Sequence, residues 1–374
     1  MPLRIAVDVR HIGDFGIGTY IRSLVHALAG FDLETEYVLV GGAAELGTFS
    51  GLPGNFRTAV YNRSDAASLD NVRFPMFVQG LHADLVHIPL NRVPVLMRRP
   101  YVVTIHDISS LTVDARQGVR AGLHRWRFQR GLLRAERVIA VSEATRRDVQ
   151  HMFGVPAGRL RMVYNAPDPE FFTRGTDGAG GILERYQIEY PFLLYAGNIR
   201  PQKNIPRLVE AFAVVREELA AHPVYRDLRL IIIGDEISRY PSVRQAVIKS
   251  RVEEEVRFLG FVPFDTLRCF YEAAAAFVFP SRYEGFGLPP LEAMACGTPV
   301  VTSNVSSLPE VVGDAAVLVN PENVFDIARG IREILLDQKL RAELVERGRR
   351  QAARFSWERT ARAVREIYGE AARR

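Results

Sequence analysis

The chain predicts two consecutive α/β domains, each built on a parallel sheet covered on both faces. Three observations carry this. Short apolar runs recur along the chain without strict polar alternation, as buried parallel strands do. Helical patterns fill the gaps between several of them, which is the texture of a doubly wound sheet. That texture breaks once, at Thr173-Arg-Gly-Thr-Asp-Gly-Ala-Gly-Gly181, a glycine-rich stretch without apolar periodicity that reads as a hinge. A length of 374 residues suits two such domains, and 48% hydrophobic with 24% charged residues excludes a disordered chain.

Taken in order, Leu3-Arg-Ile-Ala-Val-Asp-Val9 is a buried strand. Gly13-Asp-Phe-Gly-Ile-Gly18 follows as a glycine loop, and Thr19 starts a helix. Glycines there let backbone approach a ligand at a helix N-terminus, which makes Gly16 and Gly18 candidate binding positions; the alternative is a tight connection only. They do not complete a dinucleotide fingerprint, so NAD and FAD are discounted. Further strands follow at Tyr37–Val40, Asp84–Ile88, Tyr101–Ile105, Arg137–Val141 and Leu160–Tyr164, with Ser142 capping a helix after the fourth of these. His106 and Asp107 follow the Tyr101–Ile105 strand and fall on its carboxyl end, where α/β sheets hold ligands. A histidine there can donate a hydrogen bond to a sugar or move a proton; a structural histidine is the alternative.

Residues 116–137 hold seven arginines and one acid, Glu136, interleaved with apolar and aromatic residues at helical spacing. One reading is a helix on anionic lipid headgroups with Trp126 and Phe128 as interfacial anchors. The other is a surface helix whose Leu and Trp face the core while its arginines are solvated. No nucleic-acid reader motif accompanies the charge, so nucleic acid is not expected as a partner.

After the hinge the alternation restarts: Phe192–Ala196, Leu228–Gly234, Val256–Gly260, Ala276–Phe279, Val300–Thr302 and Ala316–Val319 read as strands. The domains are therefore expected at 1–180 and 181–354, with a final helix in 355–374 anchored by Trp357. No signal segment and no membrane-spanning run is apparent, and Cys269 and Cys296 have no metal-ligand spacing, so the expectation is a reduced, cytoplasmic chain. No fixed short repeat appears, which excludes a solenoid.

The second domain carries most of the chemistry. Gly197-Asn-Ile-Arg-Pro-Gln-Lys-Asn204 leads into a helix, with Arg200 and Lys203 at its mouth. A diphosphate fits there, held bidentately by the arginine and as a point charge by the lysine, with the helix dipole adding to both. Glu284 and Glu292 bracket the turn Gly285-Phe-Gly287 that opens another helix. A carboxylate can accept two hydroxyl hydrogen bonds, so one suits a ribose diol and the other a sugar. The backbone at Phe286, Gly287 and Leu288 would address phosphate at that helix start. The chain has no Asp-x-Asp pair, so a metal-held diphosphate is not expected.

Glu284-Gly-Phe-Gly-Leu-Pro-Pro-Leu-Glu292 resembles the glutamate–seven–glutamate signature of retaining GT-B glycosyltransferases of family 4. The likeness extends in order through Phe15-Gly-Ile-Gly-Thr-Tyr20, Thr104-Ile-His-Asp107, Val141-Ser-Glu143, Tyr164-Asn165, Gly197–Asn204, Phe258-Leu-Gly-Phe-Val262 and Leu308-Pro-Glu310. It implies a GT-B fold of two Rossmann-like domains, with Glu284 on the transferred sugar, Glu292 on the ribose, Lys203 on the diphosphate and His106 beside the sugar. Val262 is placed at the donor by the same resemblance, and the last helix is expected to cross back onto the first domain. Two positions depart from the pattern. The diphosphate arginine of many members directly follows the glycine or precedes the lysine, where this chain has Asn198 and Gln202. The usual glycine after Asn165 is Ala166.

What the resemblance implies is a retaining hexosyltransferase that uses a nucleotide sugar and no metal or other cofactor. Mannose is favoured, and GDP over UDP, because the Gly-Ile-Gly-Thr-Tyr loop resembles bacterial mannosyltransferases of surface-polysaccharide assembly. The acceptor would be a glycan or lipid-linked hydroxyl, with peripheral membrane contact through the arginine helix. Competing readings are a UDP-sugar transferase with a soluble acceptor, a nucleotide-sugar epimerase on the same double fold, and a nucleotide-binding scaffold without catalysis.

Overall fold

The computed structural model describes residues 2–63, 69–109, 119–173 and 179–373. Strands form where apolar runs allow every side chain to be buried. The chain runs through β1 (Arg4–Asp8), α1 (Phe15–Ala29), β2 (Glu36–Gly41), α2 (Ala43–Gly47), β3 (Phe56–Val60) and α3 (Asp70–Gly80). It continues with β4 (Leu85–Ile88), β5 (Tyr101–Ile105), α4 (Val119–Arg134), β6 (Arg137–Ala140), α5 (Glu143–Phe153) and β7 (Leu160–Met162). These strands form one parallel sheet in the order β3-β2-β1-β4-β5-β6-β7. Strands β4, β5 and β6 are buried at every position. β3 is an edge strand with Arg57 and Thr58 exposed. Its five residues mix Phe56, Ala59 and Val60 with Arg57 and Thr58 and none is fully buried, so the sequence pattern misses it.

The second part comprises α6 (Ala179–Arg185), β8 (Phe192–Ala196), α7 (Ile205–Glu218), β9 (Arg229–Ile233), α8 (Pro241–Ser250), β10 (Val256–Gly260) and α9 (Phe264–Ala273). It ends with β11 (Ala276–Phe279), α10 (Leu288–Ala295), β12 (Val300–Ser303), α11 (Leu308–Val312), β13 (Ala316–Val319), α12 (Val324–Leu336) and α13 (Gln338–Ala352). Its parallel sheet has the order β10-β9-β8-β11-β12-β13. Both sheets reverse direction once, between β1 and β4 and between β8 and β11. Such switch points open a crevice at the carboxyl ends of the strands.

Two compact units result: residues 1–165 together with 356–374, and residues 166–355. The unit boundary falls at Asn165/Ala166, ahead of the glycine-rich stretch expected as the hinge. Residues 174–178 of that stretch lie outside the described residues, and Gly180 and Gly181 are helical in α6. The last helix, α14 (Trp357–Ala372), packs on α1 in the first unit. Ser356 caps it by accepting from the Arg359 amide. Trp357 meets Tyr20 edge-on, and the Thr360 hydroxyl donates to the Tyr164 carbonyl at 2.7 Å. Arg365 reaches Asp32, and Glu370 accepts from Arg137 and Arg161 at 3.0 and 2.9 Å.

Two sequence expectations change here. Helix α1 starts at Phe15 rather than Thr19, so Gly16 and Gly18 form its first turn and not a loop. A Cβ on Gly18 would sit 2.1 Å from the Ile12 carbonyl oxygen, so this glycine is required by the preceding backbone crossing it. Gly16 is exposed with open space around it. On α4, Phe128 is buried against Phe153, with ring centroids 5.1 Å apart, whereas Trp126 is half exposed. Phe128 is therefore a core residue and not an interfacial anchor. Arg116 lies outside the described residues.

Candidate active site

The site of the second unit grows from the carboxyl ends of β8 and β11, the two strands at its switch point. After β8 the chain turns at Gly197 and Asn198, runs through Pro201–Lys203 as a single 3₁₀ turn, and enters α7 at Asn204. Asn204 adopts a left-handed conformation (φ 61°) and its amide donates to the carbonyls of Pro280 and Pro321 at 3.1 and 2.7 Å. The Arg282 amide donates to the Gln202 carbonyl at 2.7 Å. These bonds bind the lysine loop to the segment after β11. Asp235, beyond β9, accepts from the Ile199 amide at 3.0 Å and the Tyr240 hydroxyl at 3.2 Å, fixing the other side of the loop. Gly234 has no side chain because a Cβ there would meet the Gly197 carbonyl at 2.0 Å.

The outcome is a tight ion pair. Lys203 Nζ donates to both carboxylate oxygens of Glu284, at 2.6 and 2.8 Å, with only 14% and 10% of the two side chains exposed. The ammonium also lies 5.3 Å from the centre of the Phe279 ring. Glu284 is held by its backbone: its amide donates to Ser306 Oγ at 3.1 Å, and its carbonyl accepts from Ser307 Oγ at 3.0 Å. Ser307 also donates to the Phe286 carbonyl at 2.7 Å, so both serines clamp the turn that precedes α10. Gly287 sits at φ 106°, and a Cβ would press on Leu308 at 2.8 Å. Its identity is dictated by both conformation and space.

Glu292 is one helix further in. The Tyr271 hydroxyl donates to it at 3.0 Å. Burial pushes its carboxyl up to about 7, the tyrosine bond opposes this, and the charge of Asp168 adds to the rise. The carboxyl therefore titrates near neutrality, as groups in ligand sites often do. Among the described residues, Asn198 Oδ1 after β8, Ser281 Oγ after β11 and Ser303 Oγ at the end of β12 are buried without a hydrogen-bond partner.

Other predicted positions fall as follows. Val262 and Phe286 are buried, and Leu288 opens α10. Arg200 is exposed, and its carbonyl accepts from the Lys203 amide at 2.9 Å across the 3₁₀ turn. It lines a cavity of about 400 Å³ with Tyr240, Ser242, Arg207 and Arg282, which neither Lys203 nor Glu284 lines. Tyr271, Ser306 and Ser307 were not singled out in the sequence. The serines precede Leu308-Pro-Glu310 directly, which was the available signal; Tyr271 lies on a separate helix and had none.

In the first unit, His106 follows β5 and is buried. Its Nε2 lies 3.2 Å from the Pro89 carbonyl, which can only accept, so Nε2 carries the proton. Burial lowers its pKa to about 4, against a smaller opposing effect from Asp107. It is a neutral imidazole whose Nδ1 is an acceptor. That narrows the sequence expectation of a donor or proton carrier. Tyr20 packs edge-on against it at 4.8 Å, and the Tyr20 hydroxyl is 3.1 Å from Thr104 Oγ1. Thr104 in turn bonds His87 at 2.8 Å, and His87 bonds Tyr368 of α14 at 2.7 Å.

Two parallel α/β units, each with a switch-point crevice and one with a lysine–glutamate pair at its edge, have the architecture of the GT-B fold. Residues 184–351 match the family described as glycosyl transferases group 1, and residues 16–171 match glycosyltransferase family 4. The chain belongs to these GT-B family 4 glycosyltransferases. It is 37% identical over 265 residues to the O-antigen chain mannosyltransferase B of Escherichia coli, an alignment covering 69% of this chain and 67% of that one. It is 32% identical over 231 residues to the serotype-specific mannosyltransferase WbdA of Escherichia coli, covering 61% of this chain and 28% of the relative. Among solved structures, sucrose-phosphate synthase from Thermosynechococcus elongatus superposes with a TM-score of 0.76 at 22% identity, covering 98% of both chains. Anabaena HepE, solved with UDP-glucose, gives 0.77 at 19% identity, covering 98% of this chain and 99% of that one.

Proposed function

We propose that the protein transfers a hexose, mannose by its likeness to two Escherichia coli mannosyltransferases, from a nucleoside-diphosphate sugar to a hydroxyl of a glycan or lipid-linked acceptor, with retention at the anomeric carbon. The observation that carries this is the Lys203–Glu284 pair set beside three unsatisfied polar side chains at the ends of β8, β11 and β12. In this reading the diphosphate takes Lys203 as its counter-ion, Glu284 turns to the sugar hydroxyls, and Glu292 accepts from the ribose. No metal is assigned a part, because Lys203 neutralises the leaving charge. The anomeric C–O bond to the diphosphate breaks as the acceptor oxygen bonds the same face of that carbon, and the acceptor proton passes to a phosphate oxygen. Arg200, exposed at the start of the same turn, is a weaker diphosphate ligand than Lys203. Neutral His106 contributes an acceptor nitrogen toward a hydroxyl rather than a proton.

The mannose assignment rests on the Escherichia coli relatives, both described as mannosyltransferases, and favours GDP-mannose over UDP-sugars. Thermal-shift titration with GDP, UDP and their sugars tests it first. A true ligand at about a hundred times its Kd stabilises by about 2.7 kcal/mol. Stabilisation by neither GDP nor UDP removes the transferase reading. Stabilisation by UDP alone replaces mannose transfer with UDP-sugar transfer. Release of nucleotide from the donor without any acceptor supports the epimerase instead. Activity retained in the presence of a chelator is the expected result for the metal-free site.

A further inference from the structure

The carboxyl edge of the second sheet holds a cationic cavity whose lining excludes Lys203 and Glu284. Helix α7 follows β8 and α8 follows β9, and both crossovers advance in the same direction, from β8 to β9 to β10. By the right-handed rule for parallel crossovers the two helices lie on the same face, where they pack against each other. They run parallel, so their N-termini stand side by side at the ends of β8 and β9. Neither N-cap side chain accepts a bond from its own first turn, and neither first turn holds an acid. Asn204 gives its side-chain amide to the Pro280 and Pro321 carbonyls instead. Two uncompensated positive helix ends therefore meet at one edge.

The first turns of both helices line the same cavity of about 400 Å³, within the range of about 300–1,000 Å³ usual for small-ligand sites. Arg207 comes from α7, Ser242 from α8, Arg200 from the turn before α7, and Arg282 from the segment after β11. Among the described residues, Arg200 makes no ion pair or side-chain hydrogen bond. Glu322, more than half exposed, bridges Arg207 and Arg282 at 2.9 and 3.0 Å. It fixes the two guanidiniums while engaging Arg282 through Nε alone, and a guanidinium carries five N–H groups, so donors remain. Glu210, further along α7, is the carboxylate of the lining. The three arginines outnumber these two acids. Ile199 and Val243, both buried, join Tyr240 in the apolar part, and Asp235 holds the Tyr240 hydroxyl at 3.2 Å.

We infer that this cavity is a second binding site of the unit, for a small phosphorylated sugar. Arg200, Arg207 and Arg282 take the phosphate through charge-assisted bonds, which the planar guanidinium fork suits, and the paired helix N-termini add to the attraction. The sugar packs on Tyr240, and Glu210 accepts from its hydroxyls. A bare phosphate would leave Tyr240, Glu210 and the apolar part without a role. An unphosphorylated sugar would leave the three arginines without one. Arg207 and Arg282 have no part in the donor site proposed above, so the inference does not depend on the transferase reading.

The test is calorimetric titration of the full chain with mannose 6-phosphate, glucose 6-phosphate, mannose and inorganic phosphate, repeated in the presence of GDP and of UDP. A hexose phosphate should bind, the free sugar should not, and inorganic phosphate should bind at least about tenfold more weakly. Binding should persist beside either nucleotide and in Lys203→Ala. Arg207→Gln and Arg282→Gln should each lose at least about tenfold in affinity, since each removes charged hydrogen bonds to the phosphate. Ser242→Glu guards against misfolding as the cause: an acid in the first turn of α8 stabilises that helix, yet it should repel the ligand and lower its affinity at least about tenfold. Arg207→Gln and Ser242→Glu should keep the melting temperature and the nucleotide response of the unaltered protein. Four results would each overturn the inference. These are no binding of either hexose phosphate, affinity unchanged in both Ser242→Glu and Arg282→Gln, direct competition with GDP or UDP together with loss in Lys203→Ala, and equal affinity for inorganic phosphate.

Discussion

Replacing Lys203 with alanine leaves the Glu284 carboxylate without its partner in a site where about a tenth of the side chain reaches solvent. Removing one member of a buried pair typically costs about 3–5 kcal/mol, because the remaining charge is uncompensated. In a unit of this size that is roughly 6–20 °C in Tm. Glu284→Ala should cost a similar amount for the mirrored reason. The double variant should cost clearly less than the sum, with a coupling of about 2–3 kcal/mol, since both charges leave together. Nucleotide affinity should separate the two residues. Glu284 occupies both the lysine's hydrogen bonds and its charge in the ligand-free protein, so it competes with an incoming diphosphate. Lys203→Ala should weaken binding of the nucleoside diphosphate, whereas Glu284→Ala should leave it unchanged or tighter while weakening the complete nucleotide sugar. Calorimetric titration of all four proteins with GDP, UDP and the sugar-bearing forms measures both. Additive stability losses, or a Glu284→Ala protein that loses nucleoside-diphosphate affinity as severely as Lys203→Ala, would refute the reasoning.

Acid should unfold the first unit before the second. Burial lowers the pKa of His87 to about 3 and of His106 to about 4, so between pH 6.5 and 4 the unfolded chain binds more protons and stability falls with pH. At pH 5 each histidine costs about 2 kcal/mol relative to pH 7. Glu292, raised to about 7, acts oppositely: its folded form binds the proton between 7 and 4.5, so the second unit gains as pH falls through that window. Hydrogen exchange resolved by segment at pH 7 and 5 checks this; equal loss of protection in both units contradicts it. Gly18→Ala should destabilise by about 2 kcal/mol or more because its Cβ meets the Ile12 carbonyl, while Gly16→Ala should be stabilising by a few tenths of a kcal/mol or more, both read by denaturant melts. A Gly16→Ala protein with impaired turnover but unchanged stability would identify Gly16 as a substrate contact. Tyr271→Phe should shift the pH dependence of nucleotide binding upward, since the bond that holds Glu292 lower is lost; an unmoved profile would detach Glu292 from the ribose.

The sheets were legible because burial on both faces leaves its mark on composition. β5 and β8 are apolar at nearly every position, and such runs have few other folds open to them. β3 escaped because an edge strand is allowed polar residues. The sequence pattern starts helix α1 four residues late: glycine disfavours a helix by intrinsic propensity, yet here the Ile12 backbone requires it. Similarly, Trp126 and Phe128 are two positions apart and both aromatic, but the helix turns one out and the other onto Phe153. The sequence had grouped them.

By itself, the sequence determined that there are two α/β units, because strand burial is a local property. It also placed Lys203, Glu284 and Glu292 as the residues of interest by resemblance. Only the tertiary structure decided which of these meet. It joined Lys203 to Glu284 across 81 positions, lined a cavity with Arg200, Tyr240 and Arg282, and set Tyr271 against Glu292. Those pairings depend on strand order and helix rotation. The register of β8 beside β11 brings two distant loops to one edge, and neither loop carries in its own residues any mark of the other.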